Sequence, residues 1–406
     1  MEQVLYKLPD GWEWHSVKKL SHNIQYGHTA KAESNGNAKF LRITDIQDGK
    51  IDWQGVPTVS LEEKEISKYA LNDDDLIFAR SGATAGKSIL IKNAPKDAVF
   101  ASYLIRIVPN KKDIIPEYLS YFFLTPAYWE VVGQNAAGAA QPNINGTKLS
   151  EFIVPVAPQG EQKRIVEKLD AVLTRIDTAI EHLQESVTLK NRLLQSALDG
   201  QFSAITERMT IESLAEVKGG KRLPKGEKLS DDETEHPYIR VADFTDKGTI
   251  DLSGIKYISK EIHEQIKRYV ISKDDLYISI AGTIGKTGFV PPELDGANLT
   301  ENAAKLVIKD KQQLDLSYLY LFTLTSDFSA QAGLATKTVA QPKLALTRLS
   351  KIEIPMSSLE EQKSLVSTIE ALKSKIHDAE AVLLGKIEDL KYLKASILDS
   401  AFKGEL

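Results

Sequence analysis

The chain of 406 residues contains no cysteine, which excludes disulfide bonds and thiolate zinc sites and favours a reducing compartment. It has no apolar run of about 18 residues, the length that a membrane-spanning helix needs. Its first residues lack a basic stretch followed by an apolar one, so we expect no signal peptide and a cytoplasmic location. A net charge of −5 means that any basic surface for nucleic acid must be local.

Motifs of catalysis are also missing. No Gly-x-Gly-x-x-Gly follows a predicted strand, no His-x-x-x-His pair lies on a predicted helix, and no Asn-Pro-Pro-Tyr-like motif of adenine methyltransferases occurs. The aspartates at 73–75 and 274–275 precede predicted strands, where such residues form turns more often than metal sites. We therefore predict a chain that is not an enzyme and holds no metal or cofactor.

One glycine-rich segment resembles a nucleotide-binding P-loop. Residues 81–88 end in Gly86-Lys87-Ser88, but Ser81 stands where that motif needs a glycine, and the second copy has Ile280 there. A β-branched residue is poorly suited to a tight turn with positive φ. We favour a glycine-rich turn that presents a lysine and a threonine, with a P-loop enzyme as the alternative.

What the chain does contain is a duplication. Several short segments return 200 positions later, a period too long for a solenoid repeat. We predict a duplicated domain whose copies are related by a pseudo-two-fold axis, a symmetry that suits duplex DNA. The paired segments are Asp74-Asp75-Leu76 and Asp274-Asp275-Leu276, Tyr118-Leu119 and Tyr318-Leu319, Leu124-Thr125 and Leu324-Thr325, Gln141-Pro142 and Gln341-Pro342, and Glu161-Gln162-Lys163 and Glu361-Gln362-Lys363.

Each half is predicted to be a mixed domain of about 150 residues followed by a long helix. The apolar, aromatic segments Tyr118–Val132 and Tyr318–Ala332 are expected to form packed helices. Strand character is found at Phe40–Ile46, Leu76–Ala79 and Tyr103–Val108, and again at Tyr238–Phe244, Leu276–Ser279 and Ala304–Ile308.

Two long helices are predicted from about 161 to 198 and from about 361 to 402. Their apolar residues alternate at spacings of three and four, a heptad seam that only Lys190 interrupts in the first helix. Neither helix is apolar all round, so each needs a partner, and pseudo-two-fold symmetry makes their pairing antiparallel. Gly200 and Gly404 mark the ends of these helices and are 204 positions apart, whereas Glu161 and Glu361 at the starts are 200 apart, so we predict an extra turn of four residues in the second helix.

A third repeated element precedes each long helix. It contains Gln141-Pro142-Asn143-Ile144-Asn145 in the first half and Gln341-Pro342-Lys343 in the second. Hinge and capping geometry is the favoured explanation for Pro155 and Glu161. For Gln141, Asn143 and Asn145 a role in reading bases stays open, because Asn and Gln can bond adenine and lysine can bond guanine.

Together these features resemble the specificity subunit of type I restriction–modification systems. The residues that carry the resemblance are the Gln-Pro, Leu-Ser, Ile-x-x-Pro and Glu-Gln-Lys series before each helix, the opening Leu8-Pro9-Asp10-Gly11-Trp12, and the Gly282–Lys286 loop. The resemblance implies an α+β fold, with two pseudo-symmetric target recognition domains separated by two long helices that form an antiparallel coiled coil. We place the first recognition domain at 1–157, its helix at 158–202, the second domain at 203–357 and its helix at 358–406.

The function that the resemblance implies is non-catalytic recognition of double-stranded DNA. Each recognition domain would read half of a bipartite target, and the helices would set the spacer. Two methyltransferase subunits and the restriction subunits would dock on the chain, and S-adenosylmethionine, ATP and Mg²⁺ would belong to those partners. The alternative is a coiled-coil scaffold without DNA binding, besides the P-loop enzyme.

The candidate DNA contacts come from the repeated loops, from the element before each helix, and from a basic loop at 218–226 that the first half lacks. Contacts to phosphate position a protein on DNA and contacts to bases specify the sequence, and residue type alone does not divide the candidates between the two. The candidates are Arg80, Thr84, Lys87, Gln141, Asn143, Asn145, Lys221, Arg222, Lys225, Thr283, Lys286, Gln341 and Lys343.

Overall fold

The computed structural model describes residues 3, 5–47, 49–136, 143–333 and 343–406. The chain divides into two compact units. Unit 1 comprises Met1–Gln184 and Leu384–Leu406, and unit 2 comprises Glu185–Leu383. None of the helices formed by the described residues is long and apolar enough to cross a membrane.

Unit 1 is built around a four-stranded antiparallel sheet in the order β2-β10-β7-β8. A second sheet, β6-β3-β9, contains the parallel pair β3–β9, and β1 pairs with β11. The strands are β1 (Glu13–Ser16), β2 (Ser21–Tyr26), β3 (Ala38–Leu41), β4 (Ile46–Gln47), β5 (Lys50–Ile51), β6 (Thr58–Val59), β7 (Leu76–Ala79), β8 (Ser88–Leu90), β9 (Ala98–Phe100), β10 (Leu104–Pro109) and β11 (Ile153–Val156). The helices are α1 (Glu63–Tyr69), α2 (Pro116–Phe122), α3 (Pro126–Ala136), α4 (Gly146–Glu151) and α5 (Gln159–Ser203), of which α5 continues into unit 2.

Unit 2 repeats this plan. Its main sheet is β13-β20-β17-β18, its second sheet β15-β14-β19-β16 again contains one parallel pair, β14–β19, and β12 pairs with β21. The strands are β12 (Arg208–Thr210), β13 (Ala215–Gly219), β14 (Pro237–Ile239), β15 (Lys256–Tyr257), β16 (Val270–Ile271), β17 (Leu276–Ser279), β18 (Thr287–Phe289), β19 (Ala297–Leu299), β20 (Ala303–Ile308) and β21 (Glu353–Pro355). The helices are α6 (Ile211–Leu214), α7 (Lys260–Ile266), α8 (Leu316–Thr323), α9 (Ser326–Ala332), α10 (Leu346–Ser350) and α11 (Leu359–Lys403), of which α11 continues into unit 1.

The α+β architecture with its two pseudo-symmetric domains and two long helices is therefore confirmed. Two predicted strands are shorter than expected, because Arg42 and Arg240 end them by closing a 3₁₀ turn. Each arginine donates through its backbone N–H and its guanidinium to the aspartate three residues on, Asp45 or Asp243. Two predicted aromatic helices are each split in two, at residues 123–125 and 324–325.

The two long helices are equal in length, at 45 residues each, and their ends are 200 positions apart. The prediction of an extra turn in the second helix is wrong. Gly200 lies inside α5 rather than at its end, whereas Gly404 follows α11 in the left-handed conformation, with a φ of +74°. The residue equivalent to Gly404 is Ala204.

Within unit 1 the segments of the two long helices run antiparallel. Lys394 forms an ion pair with Asp177, at 2.6 Å, and Arg164 donates to the backbone oxygen of Leu406, also at 2.6 Å. Residue numbers thus rise along one helix as they fall along the other. Leu169, Leu173 and Ile176 are buried in this unit's core, as the heptad seam predicts.

A fully buried glutamine anchors the start of each long helix. The side-chain oxygen of Gln162 accepts from the backbone N–H of Ile115, at 2.8 Å, and its amide donates to Ala157. Gln362 does the same in unit 2 with Asp315. The repeated Glu-Gln-Lys motif therefore has a structural role, since an unpaired buried amide would be costly.

The seam of unit 2 contains an ion pair. Lys190, the residue that interrupts the predicted heptads, pairs with Glu380, and the two side chains are 27% and 24% exposed. The equivalent positions in unit 1 are Leu390 and Ile180, which are apolar and partly buried against the core. One polar pair in an otherwise apolar seam favours a single alignment of the helices.

We expect single replacements of this pair to cost more than the double replacement. Lys190→Leu or Glu380→Leu alone leaves one charge beside apolar side chains, at about 1 kcal/mol each, whereas the double variant reproduces the apolar pair of unit 1 and is neutral or stabilising. A double-mutant cycle by urea unfolding measures this coupling. The exposed pair Glu388–Lys391 is the control, with about 0.5 kcal/mol or less. Additive costs at 190 and 380 would contradict the prediction.

Candidate nucleic-acid interface

In unit 1, three chain segments meet where β7 ends. The backbone N–H of Arg80 donates to the carbonyl of Tyr103, at 3.0 Å, and the carbonyl of Arg80 accepts from Ile144, at 2.8 Å. Beside them, Ser81 and Asn143 form an antiparallel bridge. These bonds bring the glycine-rich loop, the β9–β10 turn and the segment before α4 to one place on the surface.

Unit 2 builds the same scaffold at the end of β17. Ile280 donates to the carbonyl of Asn302, at 2.8 Å, and accepts from Leu344, at 2.9 Å, while Ala281 and Lys343 form the bridge. The two backbone hydrogen bonds and the bridge are thus repeated in both units, but the side chains that this scaffold presents are different. The two units therefore present similar surfaces that carry different side chains.

A fourth segment joins through a glycine that leaves no space for a side chain. Gly27 follows β2 and Gly220 follows β13. Each donates its backbone N–H to the carbonyl of the residue that begins the neighbouring strand, Leu104 of β10 or Ala303 of β20. A Cβ at Gly27 would overlap the carbonyl oxygen of Ala101, and one at Gly220 that of Thr300. Gly220 therefore holds the basic loop against the β19–β20 turn.

The glycine-rich loops are turns between antiparallel strands, not P-loops. Gly82–Thr84 form a 3₁₀ turn, and the strand β8, paired with β7, follows where a P-loop has its helix. In unit 2 the strand β18 follows in the same way. The phosphate site of a P-loop depends on the N-terminus of that helix. Thr84 is half-buried and Lys87 exposed, so the loop presents both residues as predicted.

In unit 2 the loops enclose a cleft of about 910 Å³. It collects four candidates from three separate stretches of sequence: Arg222 from the basic loop, Thr283 and Lys286 from the glycine-rich loop, and Lys343 from the element before α10. The remaining lining residues are Val241, Ala242, Phe244, Ala281, Gly282 and Asn302. The cleft is the strongest candidate for a binding site in this unit.

Carboxylates compensate two of the three cations in the cleft. Arg222 contacts Glu301 at 2.6 Å, and Lys286 contacts Asp246 at 2.7 Å. Burial would raise the pKa of Glu301, but hydrogen bonds from Arg222 and Thr300 hold it below its ordinary value, so the carboxylate is ionised at neutral pH. Lys343 is exposed and forms no ion pair within the described residues. The cleft therefore carries local positive charge despite the acidic chain.

Lys221 and Lys225 lie on the same basic loop but do not line the cleft. The ammonium of Lys221 lies over the ring of Tyr269, at 5.7 Å, and its backbone carbonyl accepts from Tyr238. Lys225 lies four residues further along the loop and is exposed. Both remain available to the phosphates of a long ligand.

In unit 1 the guanidinium of Arg80 lies over the ring of Tyr26, at 5.1 Å. The Nε atom of Arg80 is buried and has no hydrogen-bond partner within the described residues. The hydroxyl of Tyr26 accepts from the backbone of Gly146 at the start of α4. Arg80 is thus fixed by stacking, and its charge is uncompensated in the described part of unit 1.

Asn145 has a capping role. Its side-chain oxygen accepts from the backbone N–H of Lys148, at 2.8 Å, which makes it the N-cap of α4. Asn143 is exposed beside Ser81, and its side chain forms no hydrogen bond within the described residues. Gln141 and Gln341 lie outside the described residues.

The paired aspartates form turns, as the sequence predicts. The carboxylates of Asp75 and Asp275 accept from the backbone N–H groups of Asn72 and Ser272, both at 2.9 Å. Asp74 forms ion pairs with lysines instead of facing other acidic residues. The described residues contain no group of three acidic or histidine side chains that could hold a metal ion.

Sequence reasoning missed Tyr26, Tyr103, Asn302, Asp246 and Glu301. Their positions follow from pairing between distant segments, and no local motif marks them. The sequence points to two of them only when its two halves are aligned, because Tyr103 and Asn302 then follow equivalent strands, β9 and β19.

The family model described as "Type I restriction modification DNA specificity domain" matches the chain twice, at residues 9–190 and 206–388. The chain belongs to this family. Each match spans one recognition domain and a large part of the long helix that follows, so the repeat unit of the family is the repeat found in the sequence.

Curated relatives in the specificity family align along almost the whole chain. The EcoBI specificity subunit of Escherichia coli is 26% identical, over 99% of this chain and 88% of that protein. The StySPI specificity subunit of Salmonella potsdam is 25% identical, over 98% and 90%. The putative MjaX specificity subunit of Methanocaldococcus jannaschii is 23% identical, over 98% and 95%.

Solved structures share the fold. A chain from a study of complex assembly and conformational transition of the type I restriction–modification system superposes with a TM-score of 0.75, at 19% identity, and covers 99% of this chain and 100% of that one. The HsdS subunit from Thermoanaerobacter tengcongensis gives 0.57, also at 19% identity, with full coverage of both chains.

Proposed function

We propose that this chain is the DNA sequence-recognition subunit of a type I restriction–modification complex. The observation that carries the proposal is the scaffold that each unit builds at the end of its central strand. The same backbone bonds present arginine, tyrosine and asparagine in unit 1 and isoleucine, asparagine and lysine in unit 2, at positions 80/280, 103/302 and 143/343. Two scaffolds with the same backbone arrangement and different side chains suit the two unlike halves of a bipartite target.

Selection from a library of randomised DNA duplexes tests this function. The purified full chain, alone and with a methyltransferase subunit with which it assembles, should enrich two short blocks of preferred bases separated by a spacer of fixed length. Enrichment of a single block would contradict recognition of a bipartite target. Enrichment of no sequence by a folded complex would favour a coiled-coil scaffold without DNA binding. That alternative accounts for the long helices but not for the loops that are repeated at the ends of β7 and β17.

Catalysis in such a complex belongs to other subunits. The relatives are named specificity subunits, and we propose that S-adenosylmethionine, ATP and Mg²⁺ bind the methyltransferase and restriction subunits that associate with this chain. Exposed apolar side chains on the long helices support docking there. They include Tyr392, 74% exposed, on the unit 1 segment and Leu193, 55% exposed, on the unit 2 segment.

The long helices are proposed to set the spacer. At 1.5 Å per residue, 45 residues span about 68 Å, and one heptad about 10 Å, or roughly three base-pair steps. Because the helices are equal, we would delete the corresponding heptads 182–188 and 382–388 together, which preserves the seam. The same half-sites with a shorter spacer are expected in the duplex selection. Altered half-sites, or an unchanged spacer from a folded variant, would contradict this role.

Removing the carboxylate beside Arg222 should strengthen binding to all sequences. Glu301→Gln weakens the ion pair that holds the guanidinium, which then becomes available to a phosphate. One added phosphate contact steepens the slope of log affinity against log salt by about 0.9. A salt titration with random-sequence duplex measures the slope, and Glu388→Gln, which disrupts an exposed ion pair on α11, is the control. An unchanged slope would place Arg222 away from phosphate.

A further inference from the structure

Tyr103 and Asn302 occupy equivalent positions that no motif marks. Each lies in the turn between the parallel strand of the second sheet and the long middle strand of the first, from β9 to β10 or from β19 to β20. Each contributes its backbone carbonyl to the scaffold, accepting from Arg80 or Ile280. The backbone alone therefore fixes the position, and the side chain is not needed to hold the turn.

The side chain of Asn302 faces the cleft of unit 2. Its carbonyl is occupied by two backbone donors, Ile280 and Ala281, but its side-chain amide forms no hydrogen bond within the described residues. Lys343, Thr283 and Arg222 line the same cleft. A primary amide without a partner, surrounded by groups suited to phosphate, is equipped to bond a base edge.

The side chain of Tyr103 is 65% exposed, an unusual state for so large a ring. It forms no ring contact or hydrogen bond through its hydroxyl within the described residues. Its nearest scaffold partner is Arg80, whose charge is uncompensated in that unit. An exposed ring whose backbone carbonyl is bonded to Arg80, a cation without an ion-pair partner in the described part of unit 1, can make an apolar contact to a base next to a phosphate or guanine contact.

We propose that positions 103 and 302 each read a base, one in each half of the DNA target. Asn302 would bond the N6 and N7 edge of an adenine, and Tyr103 would contact the methyl group of a thymine. The inference rests on the proposed function and assigns to it two residues outside the repeated motifs. Because the two residues differ in chemistry, they also help to explain how two similar scaffolds read different half-sites.

The test is duplex selection with the full-length complex of chain and methyltransferase, comparing Asn302→Ala with the unmodified chain. We expect preference for one base at one position of one half-site to fall by about 5- to 150-fold, and the other half-site to stay unchanged. Gln312→Ala is the matched control, because it removes an exposed amide in the turn that lies beyond the opposite end of β20.

Tyr103→Ala should relax one position of the other half-site, and Tyr103→Phe should retain the preference because the ring is kept. Lys112→Ala, an exposed change beyond the far end of β10, is the control. Equal weakening of all sequences by Asn302→Ala or Tyr103→Ala would assign these residues to phosphate or to folding and overturn the inference. Unchanged selectivity in both variants would overturn it as well. An unmodified complex that selects no sequence would instead refute the proposed function itself.

Discussion

Replacing Phe402 with alanine is expected to destabilise unit 1 by about 3–5 kcal/mol, the cost of deleting a large aromatic side chain from a packed core. Phe402 is 3% exposed and lies at the end of α11. Its ring contacts those of Tyr118 and Phe122, with centroid distances of 4.8 and 5.7 Å. The end of α11 is thus part of the core of unit 1. Amide hydrogen exchange should show lost protection in α2 while unit 2 keeps its own.

Phe202 has the same role in unit 2, so Phe202→Ala should produce the reciprocal result. Its ring lies 4.9 Å from Tyr318 and 5.7 Å from Phe322. Tyr392→Ala is the control, because that ring is 74% exposed and its loss should change unfolding by about 0.5 kcal/mol or less. Equal loss of protection in both units from either phenylalanine variant would contradict the assignment of each anchor to one unit.

Gly220→Ala is expected to cost about 3 kcal/mol and to displace the basic loop. A Cβ at this position would overlap the carbonyl oxygens of Leu299 and Thr300, and backbone atoms cannot move aside as a flexible side chain can. Lys221 and Arg222 follow directly, so the position of the basic loop, and with it the place of Arg222 at the cleft, depends on this close approach. We expect a lower unfolding midpoint and loss of selectivity in one half-site.

The matched controls for this variant are Gly200→Ala and Gly385→Ala. Both glycines lie inside the long helices with open space around the added methyl group. Alanine should stabilise the helix there by roughly 0.5–1 kcal/mol. A Gly220→Ala variant as stable as these controls would show that the loop accommodates a side chain.

The main sheets and the long helices could be predicted because their signals are local. Leu76–Ala79 and Leu276–Ser279 are short apolar runs behind an aspartate turn, and they form the central strands β7 and β17 with the predicted bounds. The heptads of α5 and α11 likewise reflect burial that recurs along one helix face. Strong periodic burial leaves a pattern in the sequence.

The error about helix length has a physical origin. Glycine often follows the end of a helix, which makes Gly200 a natural candidate for that end, yet a helix packed on its neighbours tolerates an interior glycine at about 1 kcal/mol. The aromatic anchors would have given the correct alignment, since Phe202 and Phe402 are 200 residues apart and both pack on an equivalent tyrosine. Tertiary contacts outweighed local propensity at this position.

The candidate site was predicted in part for a related reason. The repeated loops led to Thr283, Lys286 and Lys343, and the structure brings them together with Arg222. Asn302 joins them only because β19 and β20 turn beside Ile280, a pairing between distant segments. Such residues are found by comparing the two folded units.

Mapping N6-methyladenine across the genome of a host cell tests the central claim most directly. The chain is co-expressed with a methyltransferase subunit with which it assembles, and methylation is read by single-molecule sequencing. The account predicts a new bipartite motif that is present only when this chain is supplied, with two different half-sites and one spacer length. A complex that assembles but adds no methylated motif, or adds the same motif without this chain, would contradict it.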